Sequence, residues 1–227
     1  MTNRRKVFVT GGTGYIGKAL ILALVDRGHS ICALVRPGRP HMFPPQVTEV
    51  TGNALDSKSF EALIPPADTL IHLVGASHPN PFKANAFRNV DLRSIQESVQ
   101  AARNFGVHHL VYVSVAHPAP IMEAFITARE EGEAAVIASG LSATILRPWY
   151  ILGPGHRWPY LLLPFYAFAE KLPRWRESAR RLGLVTLRQM VAALVVATEN
   201  PSAGIRIVEV LKIREAANEL EIHRTHS

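Results

Sequence analysis

The chain has 227 residues, with 25 Lys+Arg against 18 Asp+Glu and a formal net charge of +7, a length for one domain or one domain with a small appendage at about 100–200 residues per domain. Hydrophobic residues make up 48% and charged residues 19%, which excludes a disordered chain and supplies a full core. The single cysteine, Cys32, excludes an intrachain disulfide and a Cys-rich zinc site.

Lys6–Thr10 reads as a buried strand that runs into glycines, and residues 14–27 have helical spacing through Ile16, Leu20, Leu24 and Val25. Gly28 suits the left-handed residue after a helix. Ser30–Val35 and Val47–Thr51 read as the next strands, and a short helix is expected through Phe60–Leu63, stopped by Pro65-Pro66. Residues 69–74 form a fourth strand and 86–105 a long helix. Residues 109–114 form a fifth strand, 122–139 a helix, and 143–147 a sixth strand. After Pro148 the pattern changes: all three tryptophans, with many prolines and arginines, fall within 149–183. A helix over 187–197, a last strand over 205–211 and a polar tail complete the chain. Strands alternating with helices predict an α/β fold with a doubly wound parallel sheet. Residues 1–148 are expected to form its nucleotide-binding core, and 149–227 a small C-terminal substrate-side lobe completing the same domain.

The apolar runs fall short of the roughly 20 residues that cross a bilayer: 161–169 is broken by Pro164, and 191–197 is brief. The basic start, Met1–Lys6, leads directly into Val7-Phe8-Val9 and glycines, with no signal-peptide core. The expectation is a soluble protein of a reducing compartment, the cytoplasm.

Thr10-Gly-Gly-Thr-Gly-Tyr-Ile-Gly17 lies between the first strand and the first helix. Glycines there permit a tight turn, a close backbone approach to pyrophosphate, and close helix–sheet contact, while the helix N-terminus offers free N–H groups. A P-loop is excluded because Ala19 stands where a Ser or Thr would hold Mg²⁺ after Lys18. The spacing Gly11-x-x-Gly14-x-x-Gly17 resembles that of the short-chain dehydrogenase/reductase superfamily, in its extended and atypical, epimerase/dehydratase-like branch. The resemblance continues through Ile71-His-Leu-Val-Gly75, Asn89-Val90, Val111-Tyr-Val-Ser114, Gly140-Leu141 and Ile145-Leu-Arg-Pro148. It implies a Rossmann fold of about seven strands, with NAD or NADP across the carboxyl edge.

By that resemblance the coenzyme meets Gly11, Thr13, Gly14, Tyr15, Ile16 and Gly17. Asn53, Ala54 and Leu55 lie beside the adenine, Leu73, Val74 and Gly75 under the adenosine ribose, and Pro148 at the nicotinamide. The second strand ends Leu34-Val35-Arg36 with no acid for ribose hydroxyls, and a guanidinium pairs with a 2′-phosphate, so Arg36 favours NADP over NAD.

Reductases of the superfamily use Tyr-x-x-x-Lys, but none of the five tyrosines here is followed by Lys at that spacing. The matching helix reads Phe125-Ile-Thr-Ala-Arg129, so a ring with no hydroxyl stands for the Tyr and an arginine for the Lys. Arg129 could still bond the ribose hydroxyls, yet its pKa is too high for a proton relay. Ala116 stands where the catalytic hydroxyl is expected. The remaining catalytic candidates are Ser114, Arg129 and Tyr150. His72 and His117 are possible bases, set against their reading as packed or solvent-facing imidazoles, and His108-His109 are expected at the surface. No His-Glu-x-x-His or Gly-x-Ser-x-Gly is present, which argues against a zinc site or a serine hydrolase.

Aromatics over 158–168 precede Lys171, Arg174, Arg176, Arg180, Arg181 and Arg188. This stretch reads as an apolar face closing the cleft with solvated arginines outside. An anionic membrane surface or an acidic substrate is the alternative, and no nucleic-acid reader motif is present. Three functions stay open: a coenzyme-binding sensor, regulator or assembly factor; an oxidoreductase, epimerase or dehydratase with a substitute acid or base acting on an unidentified small molecule; and a peripheral membrane subunit that holds the coenzyme.

Overall fold

A computed structural model describes residues 4–38, 43–76, 84–119, 122–153 and 183–225. Seven parallel strands form the main sheet in the order β3-β2-β1-β4-β5-β6-β9. They are β1 (Lys6–Thr10), β2 (Ser30–Val35), β3 (Val47–Thr51), β4 (Thr69–His72), β5 (His109–Val113), β6 (Ser142–Arg147) and β9 (Ile205–Glu209). The chain steps outward from β1 to β3, then crosses back to β4 on the other side of β1. That reversal opens a crevice at the carboxyl ends of β1 and β4. Two short strands, β7 (Tyr150–Leu152) and β8 (Leu184–Thr186), pair in parallel as a separate sheet.

Side-chain alternation divides the core into two layers. Val7 and Val9 of β1, Ile71 of β4 and Val111 of β5 face α1 (Tyr15–Asp26). Phe8, Leu70, Leu110 and Tyr112 face the other way, onto α2 (Arg93–Asn104) and α3 (Glu123–Ala138). The α1 layer also takes in α4 (Leu187–Glu199) and α5 (Val210–Thr225). Helix α4 starts on a capping box: Thr186 Oγ1 accepts from the Gln189 amide at 3.2 Å, and Gln189 Oε1 accepts from the Thr186 amide at 2.9 Å.

Several elements depart from their sequence patterns. The 57–63 region forms two 3₁₀ turns, Ser57–Ser59 and Glu61–Leu63, because Phe60 breaks the run to pack against Phe8. The long helix before β5 begins with a single turn at Ala84–Ala86 and a π-helical turn at Phe87–Leu92 before α2 proper. The expected polar tail is instead α5, anchored by the buried Val210, Ile213 and Ala216; the last strand correspondingly stops at Glu209. His109 is buried rather than at the surface, its Nε2 3.0 Å from Thr144 Oγ1. The aromatic and basic positions 158–168, Lys171, Arg174, Arg176, Arg180 and Arg181 lie outside the described residues.

Candidate functional site

The glycine loop is shaped by backbone contacts that leave no room for side chains. Gly11 has φ +77°, and a Cβ there would sit 2.6 Å from the Leu73 carbonyl carbon. A Cβ on Gly17 would sit 2.5 Å from the Gly11 oxygen. Helix α1 starts at Tyr15, inside this motif, with no side-chain hydrogen bond at its cap Gly14, and a helix N-terminus of this kind suits an anion.

Between this loop and the ends of β2, β3 and β4 lies a cavity of about 250 Å³. Gly11, Thr13, Gly14, Arg36, Asn53, Ala54, Leu55, Leu73, Val74 and Gly75 line it together. Leu34, Val35, Gly52 and Val90 complete the wall. Of these the sequence carries a signal for Leu34 and Val35, as the end of the second strand before Arg36, and for Val90, through the Asn89-Val90 pair, but none for Gly52. The crevice, the side-chain-free cradle and the open helix N-terminus fit a dinucleotide diphosphate, and Arg36 stands exposed at the β2 end of the cavity.

Five of the expected coenzyme residues lie outside that wall: Tyr15, Ile16, Gly17, Pro148 and Arg129. Tyr15 projects toward Gly153, where a Cβ would collide with its hydroxyl, and Ile16 packs against the α1-side core. Gly17 supports the loop from beneath. Pro148 is buried, and its carbonyl accepts from the Ala116 amide at 2.9 Å.

Arg129 is also outside the cavity wall. Its Nη1 donates to the Val113 carbonyl at 2.8 Å and its Nη2 to Asp91 Oδ1 at 2.5 Å. The other Asp91 oxygen accepts from the Ala76 amide at 2.9 Å. The guanidinium carbon lies 5.2 Å from the Phe125 ring centroid and 5.9 Å from that of Tyr112. Phe125 in turn tilts against the buried Phe87 at 5.1 Å between centroids. The helix face where a Tyr and a Lys would stand is thus occupied by packed rings and a closed ion pair. The importance of Asp91 was not visible in the sequence, since its π-helical turn does not announce which residue points inward.

The remaining candidates divide sharply. His72 is fully buried, with Nδ1 3.0 Å from Thr10 Oγ1 and 2.9 Å from Ser98 Oγ, and Nε2 3.2 Å from Ser94 Oγ. Burial and the nearby Arg129 charge push its pKa down to about 3, so it is a neutral structural link and not a base. His117 packs between two carboxylates of α3, with Nδ1 3.0 Å from Glu130 and Nε2 3.5 Å from Glu133. Glu133 is tied to Arg147, which also reaches Glu209 at 3.0 Å. Tyr150 is half-buried in β7. Ser114 ends the β5–β6 ladder through its amide, while its buried hydroxyl has no hydrogen-bond partner among the described residues. No group of three or more His, Cys, Asp or Glu among the described residues is placed to hold a metal ion, and none of their helices is long and apolar enough to cross a membrane.

Comparison with known proteins agrees with this geometry. A family model described as NAD(P)H-binding matches residues 11–157. A ceramide reductase of Caulobacter vibrioides is 29% identical over 213 residues, covering 93% of this chain and 66% of that protein. A 2-alkyl-3-oxoalkanoate reductase of Stenotrophomonas maltophilia is 26% identical over 204 residues, covering 79% of this chain and 58% of that protein. The chain therefore spans less than two thirds of the length of these curated relatives. In fold it is similar to the Bordetella bronchiseptica enzyme WbmH in complex with NAD⁺, with a TM-score of 0.68 at 21% identity over 90% of this chain and 75% of that one.

Proposed function

The chain belongs to the NAD(P)H-binding family of short-chain dehydrogenase/reductase-like Rossmann proteins, and from that premise we propose that it is a coenzyme-binding sensor or regulator with no tyrosine-driven turnover. One observation carries this reading: Phe125 is packed on Phe87, and Arg129 is closed onto Asp91 and Val113. When bound, a nicotinamide coenzyme supplies a hydride. Reducing a carbonyl also needs a proton at the carbonyl oxygen, and Phe125 has none to give. Arg129 stays protonated at any working pH and its outer nitrogens are already engaged. The glycine loop and α1 would hold the diphosphate, Asn53–Leu55 and Leu73–Gly75 the adenosine half, and Arg36 a 2′-phosphate, which favours NADP over NAD.

The test is calorimetric titration with NADPH and NADH, followed by a screen of the NADPH-loaded protein against carbonyl compounds. The reading expects micromolar or tighter NADPH binding and no coenzyme oxidation; robust oxidation by the wild-type protein would overturn it.

A second reading, a reductase, epimerase or dehydratase with a substitute acid, is favoured by the buried hydroxyl of Ser114, which has no hydrogen-bond partner among the described residues. The relatives named as reductases of a ceramide and of a 2-alkyl-3-oxoalkanoate point it toward a lipophilic carbonyl compound. It predicts turnover that disappears in Ser114→Ala, with coenzyme affinity retained.

A further inference from the structure

We infer that Asp91 and Arg129 are positioning residues for coenzyme affinity: they hold the Gly75–Ala76 turn in place as one wall of the cavity. The inference rests on the coenzyme reading above and extends it to residues outside the cavity. Gly75 lines the cavity, and the next amide, Ala76, donates to Asp91 Oδ2 at 2.9 Å. Asp91 is fully buried, and its second oxygen is held by Arg129 at 2.5 Å, so the carboxylate cannot rotate away from the turn without leaving a buried guanidinium unpaired. Arg129 is itself fixed to the end of β5 through the Val113 carbonyl at 2.8 Å. A continuous chain of hydrogen bonds thus runs from β5 through α3 and the π-helical turn to the cavity wall.

Two further features fit this arrangement. The π-helical turn Phe87–Leu92 presents Val90 to the cavity while its neighbour Asp91 faces Arg129; single π turns of this kind commonly mark functional positions. A Cβ on Gly75 would fall on Arg129 Nη2, with Asp91 Oδ1 3.1 Å away. The glycine is therefore required on the side away from the cavity, where the pair presses against the back of the wall.

The experiment measures NADPH affinity by calorimetry, thermal midpoint, and hydrogen exchange at the Ala76 amide, on the full chain and its variants. Asp91→Ala and Gly75→Ala are expected to weaken NADPH about tenfold, the size of one lost positioning hydrogen bond, and Asp91→Ala to speed exchange at Ala76. The paired variant Asp91→Leu with Arg129→Met removes both charges, so it keeps the fold even where Asp91→Ala does not. It is expected to return the thermal midpoint toward the wild-type value and yet stay about tenfold weaker for NADPH. If affinity recovers together with stability in the paired variant, or Gly75→Ala binds as the wild type does, the positioning role is overturned. Absence of NADPH binding by the wild type would instead refute the coenzyme reading itself, whatever the exchange at Ala76.

Discussion

The two halves of the sheet's carboxyl edge are built on opposite principles. Beside β1, β2 and β4 the edge opens into a cavity at the glycine loop, where Gly11, Gly14, Gly52 and Gly75 line the wall and α1 begins with no side-chain cap. Beside β5 and β6 the same edge is closed. Arg129 is engaged with Asp91, Glu133 with Arg147, His117 with Glu130, and Phe125 with Phe87. The contrast separates two demands that a nicotinamide enzyme normally meets together. Binding needs space and oriented dipoles, whereas proton transfer needs an uncommitted titratable group. In this molecule the open half has the space, while these side chains of the closed half are engaged with one another.

The closed half offers the largest effect. Arg129→Met leaves the Asp91 carboxylate buried without its cation, so unfolding in urea should show a loss of about 3–5 kcal/mol. Removing the partner as well, with Asp91→Leu, should restore most of it; a single variant as stable as the wild type would mean that the pair is not closed in solution.

On the open half, Gly17→Val tests whether space is what matters. Its side chain would displace the Gly11–Gly12 backbone, and titration should show NADPH affinity reduced by roughly 100-fold or more. Binding at wild-type strength would show that the coenzyme does not rest on this loop.

The open half was far more legible in the sequence than the closed one. Gly11, Gly14 and Gly17 between an apolar strand and a periodic helix carry their geometric reason with them, since only a missing side chain satisfies that turn. Strands β1 and β2 were equally plain, because a buried parallel strand reads as a near-continuous apolar and β-branched run. The closed half depends on pairings across 38 residues, as between Asp91 and Arg129, and no local pattern reports which charged residue turns inward. The same limit hid α5. Val210, Ile213 and Ala216 are a sparse apolar stripe in a polar segment, and they become core only because α4 lies beside them. His109 failed for the converse reason, as a polar residue at the start of β5 that is buried and finds Thr144 on the neighbouring strand.

Acidification should destabilise the centre of the sheet, where β4 carries His72 and β5 carries His109. Unfolded, His72 takes up a proton near pH 6.5; folded, it refuses one down to about 3, and burial with the Arg206 and Arg5 charges holds His109 at about 4. The unfolded chain therefore binds more protons, and the stability from these two groups is complete above pH 6.5 and drains as pH falls. Each contributes a slope of up to about 1.4 kcal/mol per pH unit between pH 6 and 4. His72→Gln should lower stability at neutral pH and yield a flatter acid limb in pH-dependent urea unfolding; an unchanged slope would mean that His72 already carries a proton in the folded state.

The smallest effect concerns which coenzyme the open half prefers. Arg36 stands exposed at the end of β2, where no acid competes for ribose hydroxyls, so its contribution falls on a 2′-phosphate alone. Arg36→Ala should weaken NADPH by about tenfold and leave NADH within error, because an exposed guanidinium–phosphate pair contributes little more than about 1–2 kcal/mol. The loss should shrink as salt is raised from 0.05 to 0.5 M, since a pair in contact with water is screened and a buried one is not. Equal weakening of both coenzymes would mean that Arg36 shapes the cavity rather than reading the phosphate, and the preference for NADP would then have no residue behind it.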